Sequence, residues 1–153
     1  MLQRKQTIYL LVATLVTGSL FFQKLVSFIS STNLYIMKFN GIFTAKTDNP
    51  ELTMSTLAFT ILLGLSVAMG LVTVFLFKKR MIQIRLCALN IGLMLGITGM
   101  IYYFAKTGAR ELAAEYTFHF PIVLPLIAII LTVMAIKAIG RDEALIRSMD
   151  RIR

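Results

Sequence analysis

Four long apolar segments, separated by more polar stretches, fill most of the chain, and none of the segments contains an acidic residue. A helix needs about 20 apolar residues to cross roughly 30 Å of hydrocarbon, and each of the last three segments has that length. The first is shorter, and we expect it to extend towards residue 29, with the Lys24 charge reaching outward to the interface. The segments cover residues 7–22, 53–77, 86–105 and 118–139.

Composition supports a membrane protein. Hydrophobic residues make up 58% of the 153 residues, and the mean hydropathy of +0.80 is too high for a soluble domain. The polar stretches are too short to hold a separate soluble domain. The chain is therefore predicted to form one integral membrane domain over residues 1–153. The predicted fold class is an all-α membrane protein with four transmembrane helices in an antiparallel bundle.

Basic residues are sorted to one side of this pattern. With both termini on the inner side, 11 of the 16 Lys and Arg residues are inside and 5 are outside. The positive-inside rule then predicts a multi-pass membrane protein with both termini in the cytoplasm. The net charge of +9 follows this sorting, so we expect anionic lipid headgroups at the inner face as partners and no nucleic acid. The outer five are Lys24, Lys38, Lys46, Lys106 and Arg110.

The first outer loop changes its pattern. Residues 34–39 are β-prone, Asn40-Gly41 follows, and residues 42–44 are again β-prone. Asn-Gly between apolar runs predicts a β-hairpin, because both central residues of a type I′ turn need positive φ. An isolated hairpin is marginal in water, so it should pack on the helix ends, the last outer loop or a partner. In that last loop, residues 109–115 are predicted to form a short helix.

The C-terminal tail, residues 141–153, is predicted to be a cytoplasmic amphipathic helix. Gly140 should loosen the preceding span, and Pro125 should bend that span if it lies inside the helix. Apolar tail residues recur at helical spacing, with arginines on the other face. Such a helix can lie on a membrane or dock into another protein. The tail residues predicted to bind a partner are Arg141, Leu145, Arg147, Met149, Arg151 and Ile152.

Small residues four positions apart favour close helix packing within the membrane. The spans contain several such spacings, which predict helix–helix contacts rather than ligand sites. The residues predicted to mediate these contacts are Thr14, Gly18, Gly64, Ala68, Gly70, Gly92 and Gly96.

Reactive residues are scarce. The single Cys87 has no partner for an internal disulfide, and one histidine cannot supply a bis-histidine haem site. No carboxylate lies inside a span, whereas transporters commonly need one. The outer Ser30, Ser31 and His119 could meet, but no further residue supports a catalytic group. We therefore predict no catalytic residues, no cofactor and no metal, and one candidate pocket formed by Asn90, Tyr102, Tyr103 and His119.

Both ends of the chain resemble a known family. The opening MLQRKQTIYL and the closing RDEALIRSMDRIR, in which Asp-Glu precedes Leu-x-Arg-Ser-x-Asp-Arg-x-Arg, are similar to the domain of unknown function 4293 family. The resemblance implies a four-span protein of the bacterial cytoplasmic (inner) membrane with no assigned activity. The layout also resembles claudin-type proteins in plan: four spans, β structure in the first outer loop and a short inner loop. Their outer-loop disulfide and tryptophan motif are absent from this sequence.

Two functions remain open, and neither is enzymatic. The first is an accessory or structural subunit of a larger membrane complex, such as translocation or secretion machinery, that docks through the basic tail and the outer hairpin. The alternative is a lipid- or small-molecule-binding membrane protein or carrier that uses the candidate pocket.

Overall fold

The computed structural model describes residues 3–31, 33–45, 51–76 and 79–150, without the side chains of residues 3–5, 143 and 145–150. Within these ranges the structure has four α-helices and five β-strands. The helices are α1 (Gln3–Ser19), α2 (Leu57–Phe75), α3 (Arg80–Glu111) and α4 (Leu124–Asp150), and a short 3₁₀ turn, Phe120–Val123, precedes α4. The strands are β1 (Val26–Ile29), β2 (Leu34–Lys38), β3 (Gly41–Thr44), β4 (Leu52–Ser55) and β5 (Glu115–Phe118).

The predicted all-α fold class is wrong, because the five strands form one antiparallel sheet in the order β4-β3-β2-β1-β5. The loop between α1 and α2 supplies four of the strands, and the loop between α3 and α4 supplies β5. The sequence indicated only the β2–β3 hairpin because only this pair of strands is marked by an Asn-Gly signal. A four-residue strand is too short to establish an alternating pattern without knowledge of the strand it pairs with.

The β2–β3 hairpin is present, but its turn differs from the predicted type. Lys38 pairs with Gly41, so Phe39 and Asn40 are the two turn residues. Asn40 is not among the non-glycine residues with positive φ, which excludes a type I′ turn. Gly41 is required for another reason. A Cβ at this position would overlap the Leu52 side chain and lie 3.0 Å from the Met54 carbonyl oxygen on the neighbouring strand.

The sheet lies at one end of the helices. It continues directly from the end of α1, leads into the start of α2, and is joined by β5 between the end of α3 and the start of α4. Consecutive helices therefore run antiparallel. Within the described chain, α1 packs against α2 and α4, and α3 packs against the same two helices. The connection between α2 and α3 lies at the opposite end, called here the inner end.

One apolar core joins the sheet to the helices. Val26, Phe28, Met37 and Ile42 are fully buried on one face of the sheet. They pack with residues of the helix ends, among which Gly108 permits the closest approach: a Cβ there would lie 3.0 Å from both Phe28 Cζ and Ile42 Cδ1. The helix residues of this core are Phe59, Leu63, Ile97, Ile101, Phe104 and Ala105.

Three helical segments are long and apolar enough to cross a membrane: Leu57–Phe75, Arg80–Glu111 and Phe120–Asp142. The apolar part of α1, Gln6–Ser19, is shorter. The expected extension of the first span to residue 29 is wrong, because residues 20–23 form tight turns and β1 follows. Ser19 contributes to this ending by donating a hydrogen bond to the Val16 carbonyl oxygen at 2.8 Å.

The end of α3 replaces the short helix predicted over residues 109–115. The helix continues to Glu111, and Ala113 then adopts φ 44°. The Ala114 amide donates to the Ala109 carbonyl oxygen at 3.0 Å, which is the six-to-one hydrogen bond of a Schellman motif. Glycine is the usual residue at the left-handed position, so the alanine concealed this helix end. The motif turns the chain directly into β5.

The last helix is continuous from Leu124 to Asp150. The predicted loosening at Gly140 is therefore wrong, and the tail prolongs the span as far as Asp150. At 1.5 Å per residue this helix of 27 residues is about 40 Å long. Pro125 is its second residue, where the missing amide hydrogen removes no intrahelical bond, so it does not bend the helix interior.

Candidate functional site

A buried hydrogen bond links α2 and α3 within their apolar segments. Ser66 Oγ donates to Asn90 Oδ1 at 2.8 Å, and both side chains are almost fully buried. About two turns nearer the inner end, Gln83 Nε2 donates to the Thr73 carbonyl oxygen at 3.2 Å. In hydrocarbon, such bonds hold helices in a fixed register because an unpaired polar group there is costly. The Asn90 oxygen is thus already engaged by a neighbouring helix.

Small residues bring α1 and α2 together at one point. A Cβ at Gly70 would lie 2.5 Å from Thr14 Oγ1. At Gly96, a Cβ would lie 3.3 Å from Leu62 Cδ2, a close contact that a small shift of the Leu62 side chain would relieve. Within the described chain, and apart from the backbone of its own helix and its two chain neighbours, nothing lies within 4 Å of the corresponding position at Gly18, Gly64 or Gly92. Ala68 is exposed.

The inner ends of α1 and α4 are joined by polar side chains. Gln6 Nε2 donates to the Asp142 carboxylate and also, at 3.2 Å, to the Ala138 carbonyl oxygen. Gln6 and Asp142 are both buried. The carboxylate at the start of the tail is therefore fixed against the first helix, whereas the neighbouring Arg141 is exposed.

At the sheet end, His119 meets Ser27 rather than Ser30 or Ser31. Ser27 Oγ and His119 Nε2 are 2.6 Å apart, and the His119 amide donates to the Leu25 carbonyl oxygen at 3.1 Å. Ser30 Oγ donates instead to the Leu112 carbonyl oxygen at 3.3 Å. A serine–histidine pair resembles part of a nucleophile–base group, but no acidic side chain is seen to orient this histidine within the described chain.

Exposed aromatic rings surround the sheet end of α3. Tyr102 and Tyr103 are both exposed, and Lys106 Nζ lies 5.0 Å from the Tyr102 ring centroid. Tyr116 and Phe118 on β5 stack edge to face, with ring centroids 5.2 Å apart. Aromatic side chains of this kind gather where a membrane meets water.

The face of the sheet turned away from the helices carries an apolar patch. Side chains alternate between the two faces along a strand, and residues paired across neighbouring strands lie on the same face. Residues paired with the buried residues therefore face the core, and the residues between them along each strand face outward. Ile36, Phe43 and Leu52 form one row across β2, β3 and β4, and Ile29 pairs with Leu34 beside it. Ile29, Leu34 and Leu52 are 57%, 41% and 55% exposed. We call these five residues the outer sheet face.

Comparison with known proteins identifies the family. The family model for a domain of unknown function (DUF4293) matches residues 2–152. The chain belongs to the DUF4293 family. This confirms the resemblance that the two ends of the sequence indicated. Curated proteins yield no match to the chain.

The four candidate pocket residues of this DUF4293 protein are not brought together. Asn90 and Tyr102 are 12 residues apart on one helix, which corresponds to about 18 Å. Tyr102 and Tyr103 are exposed on α3, and His119 lies beside β1. Cys87 is buried against Leu10 and Ala135. Among the described residues, no group of three or more His, Cys, Asp or Glu side chains is placed to hold a metal ion.

The tail that was predicted to bind a partner can be followed only in part. Arg141 is exposed, and the helical backbone continues through Leu145, Arg147 and Met149, whose side chains lie outside the described residues, as do Arg151 and Ile152. The roles of two important residues of this DUF4293 protein, Gly108 and Gln6, were not predicted from the sequence. Gly108 has no small residue four positions away, so it lacks the spacing that predicts helix packing. Gln6 directly follows the basic residues Arg4 and Lys5, which indicate only the orientation of the chain.

Proposed function

We propose that this DUF4293 protein is a non-enzymatic accessory or structural subunit of a larger complex in the bacterial inner membrane, with both termini in the cytoplasm. In this proposal α1 crosses the membrane with the three longer helices. The main support for this proposal is the exposed apolar patch that we call the outer sheet face. Antiparallel sheets normally present polar residues on the face that does not cover a core, whereas here five apolar side chains form a patch on that face.

The proposed occupant is an extramembrane segment of a partner membrane protein. Exposed apolar patches with polar rims are typical of protein interfaces. Ser27 and Thr117 continue the Ile36 row across β1 and β5 and provide such a rim. At the inner end, the tail would provide a second contact, because α4 continues as one helix and the Gln6–Asp142 contact holds its base.

The alternative, a lipid- or small-molecule-binding carrier, is less well supported. It depended on a pocket that reaches Asn90, and the oxygen of that side chain accepts a hydrogen bond from Ser66. The candidate residues are spread over α3 and the sheet and do not surround one space.

The test is co-purification of a stoichiometric partner after gentle detergent extraction at native expression. Leu34→Lys and Ile36→Lys should release the partner, whereas Gln23→Lys adds the same charge at an exposed position in the turn before β1, outside the outer sheet face, and should retain it. A truncated variant should end after Asp142, because the buried carboxylate must be kept when the tail is removed. Recovery of only a monomer from the unaltered chain contradicts the proposal.

A further inference from the structure

The spacing of charges on α3 indicates how deep its residues lie in the membrane. Arg85 and Lys106 bracket 20 uncharged residues, 86–105, which span about 30 Å of helix. This equals the thickness of a typical hydrocarbon core. Lys106 is thus at the depth of lipid headgroups on the sheet side, and Arg110 is one turn farther out.

Lys106 and Arg110 lie on one exposed side of α3. Tyr102, Lys106 and Arg110 are each four residues apart, so they align along the helix, and all three are exposed. The side chains of Tyr116 and Arg110 interact electrostatically with the Lys106 ammonium, and the positive charge of Arg110 repels it. The Tyr102 ring, 5.0 Å below that ammonium, helps to keep it beside the helix.

The nearby acidic residues point elsewhere. Glu111 is 100° around the helix from Arg110. Glu115 pairs with Ile29, so its side chain lies on the same side of the sheet as the outer sheet face, and Tyr116 lies on the other side. The two cations therefore face the lipid with no described carboxylate between them, and an anion placed there would relieve their mutual repulsion.

We propose that Tyr102, Lys106 and Arg110 bind the phosphate of an anionic phospholipid in the leaflet beside the sheet. Lys106 and Arg110 neutralise the phosphate, Tyr102 orients Lys106, and the exposed rings of Tyr103 and Phe118 contact the acyl chains. This site is on the opposite side of the membrane from the basic inner surface, and it does not depend on the proposed partner complex.

The test uses the full chain in nanodiscs of phosphatidylcholine with a minor fraction of phosphatidylglycerol. Native mass spectrometry then counts the phosphatidylglycerol molecules retained by the released protein. Lys106→Gln and Arg110→Gln should each lower the enrichment of phosphatidylglycerol about fivefold, since a cation near a membrane contributes about 1 kcal/mol. Tyr102→Leu should lower it while both charges remain.

Lys24→Gln is the matched control, because Lys24 is an exposed cation on the same side of the molecule. It should leave the enrichment unchanged. Equal retention by all variants, or an equal loss in Lys24→Gln, would overturn the site. Displacement of the retained lipid by excess inorganic phosphate would assign the cations to a free anion and overturn the lipid proposal. Size-exclusion profiles matching the unaltered protein would exclude misfolding of these surface variants.

Discussion

The Thr14 side chain of α1 occupies the space in which a side chain at Gly70 of α2 would lie. A Cβ at position 70 would be 2.5 Å from Thr14 Oγ1 and 3.1 Å from Thr14 Cγ2. Thr14 cannot easily rotate away, because its hydroxyl donates to the Leu10 carbonyl oxygen at 2.8 Å. Gly70 is consequently required by its neighbour and not by its own backbone conformation, which has negative φ.

Gly70→Ala should destabilise the protein. The added methyl group must displace Thr14 or separate the two helices, and overpacking of this kind costs about 1–3 kcal/mol. Thermal unfolding in detergent, followed by circular dichroism, measures the loss. Gly64→Ala is the control: no atom lies within 4 Å of its Cβ position, so the higher helix propensity of alanine should leave stability equal or raised by up to about 1 kcal/mol.

The same contact predicts a rescue. Thr14→Ala removes the two nearest atoms, so the double variant Thr14→Ala/Gly70→Ala should recover most of the stability lost in Gly70→Ala. Losses that simply add in the double variant would show that α1 and α2 are not in contact at this point.

Ser66 and Asn90 should behave as a coupled pair. Ser66→Ala and Asn90→Ala should each cost about 0.6–1.7 kcal/mol, as do hydrogen bonds between membrane helices. Since either change breaks the same bond, the double variant should cost little more than the worse single variant. Equilibrium unfolding in mixed micelles gives the coupling energy, and a value near zero would contradict the observed bond.

Ala113→Gly should stabilise the protein. The alanine has φ 44°, a region that costs an L-residue roughly 1 kcal/mol more than glycine. Ala109→Gly, one turn earlier in the same helix, should instead destabilise by up to about 1 kcal/mol. If both glycines lowered the unfolding temperature, the Schellman ending of α3 would be wrong.

Gln6→Leu should loosen the end of α4. The substitution leaves the Asp142 carboxylate buried without this donor, and a buried polar group that loses its partner costs about 1–3 kcal/mol. Hydrogen exchange should accelerate over residues 138–150 and remain unchanged in α2. Arg141→Gln, at an exposed neighbouring position, should not alter exchange.

Apolar length and family membership were readable from the sequence, because both depend on local information. The three longer helices fall on predicted segments, and the motifs at the two ends indicated the DUF4293 family correctly. The β2–β3 hairpin was also found, since Asn40-Gly41 is a local signal.

The rest of the sheet was missed because its pairing is non-local. Nothing in Glu115–Phe118 indicates a strand until Val26–Ile29 is known to lie beside it. The end of α3 was missed because Ala113 occupies a position where glycine is the usual signal. The Gln6–Asp142 contact joins residues 136 positions apart, so no local pattern could indicate it.

The position of β5 beside β1 has a consequence for biosynthesis. Two whole helices, α2 and α3, are made between these strands. Until β5 has been made and has paired with it, β1 remains an open edge, which is the part of a sheet most prone to wrong pairing. Closure of the sheet therefore depends on α2 and α3 having packed together so that β5 is returned to β1, and an incomplete chain that ends before β5 leaves this edge exposed.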